Sequence, residues 1–129
     1  MSIERVKKYF KRFGISGRIK ELDSSSATVE LAAQALNCEP ERIAKTLAFN
    51  VNEQIVLIVT AGDAKIDNHK YKTVFGLKAK MLSPEMVENL VGHAVGGVCP
   101  FGINENIAVY LDVSLKRFKT VFPACGSSN

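Results

Sequence analysis

Residues Thr46–Gly62 read "TLAFNVNEQIVLIVTAG", and this stretch decides the fold. "TLAFNV" and "QIVLIVTAG" are apolar, β-branched and aromatic runs that meet at "NEQ", the pattern of two strands joined by a tight turn. "AGD" then breaks the run. A hairpin in mid-chain, with short helical segments on both sides and no regular alternation of strand and helix, predicts an α+β fold rather than a doubly wound parallel sheet.

Working outward, Val6, Tyr9, Phe10 and Phe13 recur at helical spacing near the N-terminus, and Gly14 can close that helix. "GRIKEL" (17–22) predicts a short strand. In "DSSSATVELAAQALNC" (23–38) the Asp/Ser/Thr cluster supplies N-caps for an alanine-rich helix that Asn37 can end. Ser25 and Ser26 read as such caps. "CEPERIAK" begins another turn, with Pro40 near a helix start.

Beyond the hairpin, "AKIDNHKYKTVFG" (64–76) predicts a helix with Ile66, Tyr71 or Lys70, and Val74 on one side and Gly76 as its stop. "KAKML" predicts a short strand. "SPEMVENLVG" (83–92) carries Ser83 as N-cap, Pro84 at the first helical position and Gly92 at the end. "IAVYLD" predicts a strand, "VSLKRF" a turn or short helix, and "KTVFPACG" a last strand.

The chain has 129 residues, 47% apolar and 23% charged, which suits one globular domain with one core. No apolar run is long enough for a membrane span, and the charged N-terminus lacks the apolar centre of a secretory signal. Cys38, Cys99 and Cys125 are far apart and odd in number, which argues against a zinc site or a disulfide framework and for reduced thiols in the cytoplasm. Net charge is +4, and basic residues cluster at Arg5–Arg12 and Lys65–Lys80. They read as solvated faces or as a surface for an anionic partner.

Motifs for nucleotide-binding loops, serine hydrolases and zinc peptidases are absent. The residue types of Cys99, His93 and Asp112 would suit a thiol nucleophile, its base and an orienting group. A cysteine in an apolar segment also reads as a small core residue. Lys45 sits where a helical turn meets a strand. It either snorkels or holds a cation at a pocket rim, facing an anion such as a phosphate. "HAVGGVCPFG" (93–102) puts two glycines and a proline in an apolar run. Such a loop can present N–H groups to a carbonyl or oxyanion, or form a bulge or tight bend.

"AKTLAF", "VTAGDAKID", "GGVCPFG", "VYLDVSL" and "PACGSS" occur in this order. Together they resemble the YbaK family of aminoacyl-tRNA deacylases, relatives of the editing domain of bacterial prolyl-tRNA synthetase. The matching motifs are the strand-opening lysine, here Lys45, and a GxxxP loop, here Gly96 to Pro100. The resemblance implies a mixed, mostly antiparallel β-barrel-like sheet surrounded by short helices, spanning residues 1–129 as one domain. It also implies a further C-terminal strand and helix that the chain lacks after "ACGSS". The implied activity is trans-editing: hydrolysis of the ester of a mischarged tRNA, with Cys-tRNA(Pro) favoured because Thr46 resembles the threonine of cysteine-acting members.

By that resemblance no protein nucleophile, metal or cofactor is needed. A positioned water, the neighbouring ribose hydroxyl or the substrate's own thiol attacks, and the protein supplies orientation. Lys45 would anchor the tRNA 3′ end, and Gly96 and Gly97 would hold the ester carbonyl. Thr46, Val98, Cys99, Pro100, Asp112, Gly126 and Ser127 would line the substrate site. The implied partners are aminoacyl-tRNA and prolyl-tRNA synthetase, with no membrane, in a monomer or homodimer. The alternatives are a tRNA- or synthetase-binding module without hydrolysis, a deacylase for alanine or another amino acid, and a cysteine-dependent hydrolase.

Overall fold

The computed structural model describes residues 2–129. The hairpin is its centre: β1 (Ile43–Val51) and β2 (Gln54–Ala61) pair antiparallel from Ala44↔Ala61 to Val51↔Gln54. Asn52 and Glu53 at the turn have φ of 49° and 67°, the left-handed pair that matches the twist of a two-residue hairpin. β3 (Ala108–Leu111) runs parallel to β2, and β4 (Phe122–Pro123) runs parallel to β1. The sheet is therefore mixed, in the order β3-β2-β1-β4, and curls into a half-barrel.

Four α-helices surround it, each bounded as its sequence dictates. α1 (Ser2–Lys11) buries Val6 and Phe10. α2 (Val29–Leu36) starts at Thr28, whose Oγ1 accepts the Leu31 N–H, and stops at left-handed Asn37. α3 (Asn68–Phe75) is capped by Asp67, which accepts the Lys70 N–H, and ends at Gly76. α4 (Pro84–Val91) is capped by Ser83 and ends at Gly92, where φ is 104°. Among the described residues no helix is long and apolar enough to cross a membrane.

Strand alternation sorts the core. Ala48 and Leu57 face Val87 and Val91 of α4, while Phe49, Val56 and Ile58 face Tyr71 of α3. α1 closes over the loop after α4, with Val6 and Phe10 packed on Cys99. α2 lays Ala32 and Ala33 on Ile43.

Five sequence expectations are corrected. Ser25 and Ser26 do not cap α2, since Thr28 does: Ser25 Oγ accepts the Ala27 N–H, and Ser26 lines the cavity beside β1. "GRIKEL" is not a strand: Ser16–Arg18 form a 3₁₀ turn, and the segment after it meets the C-terminus through Leu22 N–H to Asn129 O and Ser26 N–H to Ser128 O. "KAKML" contributes one bridge, Met81 to Phe49. The last strand shrinks to Phe122–Pro123. Val74 does not face the core; it is 68% exposed, and Phe75 packs in its place. For the three expected strands the local pattern was right for hydrophobicity, but the tertiary fold decides how far each one meets a partner: "GRIKEL" meets no strand, and the other two meet β1 over only a residue or two.

Candidate active site

One cavity of about 820 Å³ opens beside β1. Its walls come from β1, α2, the start of α4, the glycine-rich loop after α4, and the segment from Val121 to the C-terminus. Lys45, Thr46, Gly96, Val98 and Ser127 all line it. Lys45 and Ser127, 82 positions apart in sequence, thus meet in one place.

Lys45 is half-buried, and its ammonium makes no hydrogen bond or ion pair among the described residues. It stands close enough to Asp63 to favour that carboxylate. The main cause of the lowered Asp63 pKa, however, is the bond from Arg117, whose Nη1 and Nη2 donate to the two carboxylate oxygens at 3.1 and 2.5 Å. Thr46 places its Oγ1 in a buried position with no partner. A buried polar atom without a bond is costly and marks a place where something else can bind.

The glycine-rich loop is shaped by its contact with the C-terminal turn. Gly96 has φ of 98° and would bring a Cβ to 3.3 Å from the Ala27 Cβ. The Gly97 N–H donates to Ala94 O at 3.0 Å and its C=O accepts the Gly126 N–H at 2.9 Å. The Gly97 peptide groups are thus engaged within the fold, and Gly97 does not itself line the cavity. The Gly96 and Val98 N–H groups have no bond within the chain among the described residues. Gly126, with φ of 94°, turns the chain so that Ser127 reaches the cavity. Ser127 Oγ donates to Asn129 Oδ1, and Asn129 Nδ2 to Leu22 O, which ties this wall down.

Besides Gly97, four residues from the sequence reading lie outside the lining: Gly126, Cys99, Pro100 and Asp112. Cys99 is fully buried against Val6 and Phe10, and its thiol donates to Phe101 O at 3.6 Å. Burial pushes its pKa up to about 12, so no thiolate forms at neutral pH. Pro100 follows it outside the cavity lining. Asp112 sits at the end of β3, where its carboxylate accepts the Ser114 N–H and caps the 3₁₀ turn Val113–Arg117. The Ser114 side chain first, and that N–H next, hold its pKa below the ordinary carboxylate range.

His93 does not approach Cys99 as a base. Its Nε2 lies 2.7 Å from Phe101 O, so that nitrogen carries the proton, and Nδ1 is buried and bare. Both His93 and Cys99 converge on one carbonyl, and the cysteine–histidine–aspartate arrangement is not assembled.

The fold also recruits residues that sequence patterns did not single out. Arg18 and Lys20 line the cavity, and Lys20 Nζ stands 5.9 Å from the ring centre of Phe122, another lining residue. Arg42 lies over the same ring at 5.0 Å. Among the described residues no Asp or Glu lines the cavity. The site is therefore apolar with a cationic rim, suited to a small acyl group attached to a polyanion.

A family model for the aminoacyl-tRNA editing domain matches residues 23–129. The uncharacterized protein YwhH of Bacillus subtilis is 53% identical over 130 residues, covering 100% of this chain and 83% of that protein. The proline--tRNA ligase of Bacillus cytotoxicus is 34% identical over 101 residues, covering 78% of this chain but 18% of the ligase. A crystal structure of a candidate trans-editing enzyme for prolyl tRNA synthetase superposes with a TM-score of 0.89 at 32% identity, covering 99% of this chain and 82% of that one.

Proposed function

Because the chain belongs to the aminoacyl-tRNA editing domain family, we propose that it is a trans-editing deacylase that hydrolyses the ester of mischarged tRNA, with cysteinyl-tRNA(Pro) as its substrate. The observation that carries this reading is a cavity in which Lys45, whose ammonium has no partner among the described residues, meets the Thr46 hydroxyl and the Gly96–Val98 loop.

An aminoacyl ester needs little activation. Water adds to the carbonyl carbon, the carbonyl oxygen becomes an oxyanion, and the bond to the ribose oxygen breaks. The ribose oxygen gains a proton, and the products are the free amino acid and a tRNA with a free terminal hydroxyl. The neighbouring ribose hydroxyl can carry the proton between water and leaving group. The free N–H groups of Gly96 and Val98 are the loop's donors for the oxyanion, a contribution that grows as negative charge develops. Lys45, with Arg18 and Lys20 behind it, holds the phosphate of the tRNA 3′ end and so fixes the ester beside the loop.

Cys99 has no part in this scheme, since its thiol is buried and protonated. The Thr46 hydroxyl, buried and unsatisfied, is a polar group available to a cysteine side chain in a largely apolar chamber.

The test is deacylation of tRNA(Pro) charged with Cys, Ala or Pro, with Ser- and Thr-charged tRNAs as outgroups. Fastest hydrolysis of the Cys ester supports the reading in full. Faster hydrolysis of another ester overturns the specificity, and salt-dependent tRNA binding without hydrolysis of any ester overturns the deacylase.

A further inference from the structure

The edge of β1 that faces away from β2 is covered in two pieces, with a gap between them. β4 pairs with Ile43 and Ala44. Further along, the Asn50 N–H donates to Lys80 O at 2.9 Å and the Leu82 N–H to Ala48 O at 3.1 Å. In an antiparallel pair, alternate residues turn their N–H and C=O to opposite edges. The bonds at Ala48 and Asn50 show which alternate set faces away from β2, and Thr46 belongs to it.

Thr46 therefore turns both its N–H and its C=O into the gap, where no group among the described residues bonds to either. Its side-chain hydroxyl is unsatisfied as well. The cavity opens on this gap, with Phe122 and Pro123 on one flank and Met81 and Leu82 on the other. Between Ala44 and Ala48 the strand advances about 13 Å, room for one docked residue between the flanks. Folded chains leave very few backbone groups unpaired in such places, so this interruption points to a ligand.

Resting on the editing reading above, we infer that the aminoacyl group of the substrate docks at this gap as a one-residue strand. Its α-ammonium donates to the Thr46 C=O, and its ester carbonyl oxygen accepts the Thr46 N–H. An extended aminoacyl group has its nitrogen and carbonyl oxygen on one side, the arrangement a sheet residue presents to its partner. Among the described residues no Asp or Glu side chain lines the cavity, and the main-chain carbonyl that faces the gap is the acceptor, in a charge-assisted bond. The carbonyl oxygen keeps a second lone pair for the loop's N–H groups. The substrate side chain then lies directly opposite Thr46, on the face that carries its hydroxyl.

The experiment uses the whole chain and amide-exchange NMR, with 3′-alanylamido-adenosine as a non-hydrolysable probe and its propionylamido counterpart, which lacks the amine. In the free protein the Thr46 amide exchanges faster than those of Lys45 and Leu47, which β2 protects. The alanyl probe slows Thr46 exchange and binds about tenfold or more tightly than the des-amino probe, as expected for a hydrogen bond to a charged group. Unchanged Thr46 exchange in the bound state, equal affinity for the two probes, or no binding of either overturns the docking mode. The deacylation assay is read separately: protection of Thr46 in a protein that hydrolyses no ester upholds the docking mode and overturns the deacylase.

Discussion

The Gly97 C=O accepts the Gly126 N–H at 2.9 Å, and a Cβ built on Gly97 would lie 2.5 Å from the Ser127 nitrogen. Two loops far apart in sequence touch backbone to backbone, and this contact aligns two walls of the cavity. Gly97→Ala forces the loops apart, because the obstacle is main chain rather than a flexible side chain. The expected cost is about 1–3 kcal/mol, as for overpacking elsewhere. Urea unfolding measures that loss. Deacylation by the folded fraction falls with it, and a variant of unchanged stability and rate would show that the contact is not needed.

Lys45 is the unpaired cation of β1 at the cavity. Lys45→Ala leaves the fold intact, because the aliphatic stem is half-exposed, and largely abolishes deacylation. The effect falls on KM if phosphate anchoring is its whole role. Arg18→Ala and Lys20→Ala weaken tRNA binding more mildly. Each lowers the salt dependence of binding by about one ion where it touches a phosphate. Titrations of tRNA(Pro) at several salt concentrations give these slopes, and unchanged slopes would place the phosphates elsewhere.

Cys99 is a core residue that packs on Val6 and Phe10. Cys99→Ala keeps deacylation within a few-fold of the parent while lowering thermal stability. With its pKa at about 12, the thiol resists alkylation at pH 8 in the folded protein and reacts on unfolding. Loss of activity in a folded Cys99→Ala protein would reinstate a thiol nucleophile.

His93 ties stability to pH. Desolvation by burial lowers its pKa below the ordinary 6.5, and its bare Nδ1 has no acceptor to meet a second proton. The unfolded chain therefore binds that proton more readily than the folded one. The stabilisation is complete above about pH 6.5 and is lost as pH falls toward the lower folded value. His93→Gln retains an amide donor for Phe101 O and flattens this acid limb. Denaturant midpoints compared from about pH 5 to pH 8 test it, and identical slopes for parent and variant would remove His93 as the source.

Asp112 shows how a correct motif can mislead about role. Its place at a strand end is as the sequence reading had it, yet its carboxylate caps a turn outside the cavity. Asp112→Ala costs about 0.5–2 kcal/mol, the usual effect of losing a cap. The rate of the folded protein is unaffected, and a stable but inactive variant would return Asp112 to the site.

The start of α4 was legible because its cap is local, Ser83 bonding an N–H three residues away; the Asp/Ser/Thr cluster before α2 was legible too, although Thr28 rather than Ser25 or Ser26 makes the bond. The hairpin was legible for the same reason, its turn joining adjacent runs. "GRIKEL" and "KTVFPACG" were misread as full strands because pairing requires a distant partner, and their composition carries no sign of whether one arrives. Arg18 and Lys20 escaped notice because nothing in their own neighbourhood marks them; they matter only beside Phe122.

By itself the sequence determined the hairpin, the α+β class and the candidates Lys45 and Gly96, since each rests on short-range sterics and motif spacing, while Thr46 came from the family resemblance. Only the tertiary structure decided what the glycine-rich loop presents and what it hides. The Gly97 peptide is used up by Ala94 and Gly126, Cys99 is sealed beneath α1, and Thr46 faces an opening that neither flanking segment covers. Whether a backbone group is free depends on which partners folding brings to it, and those partners come from far along the chain.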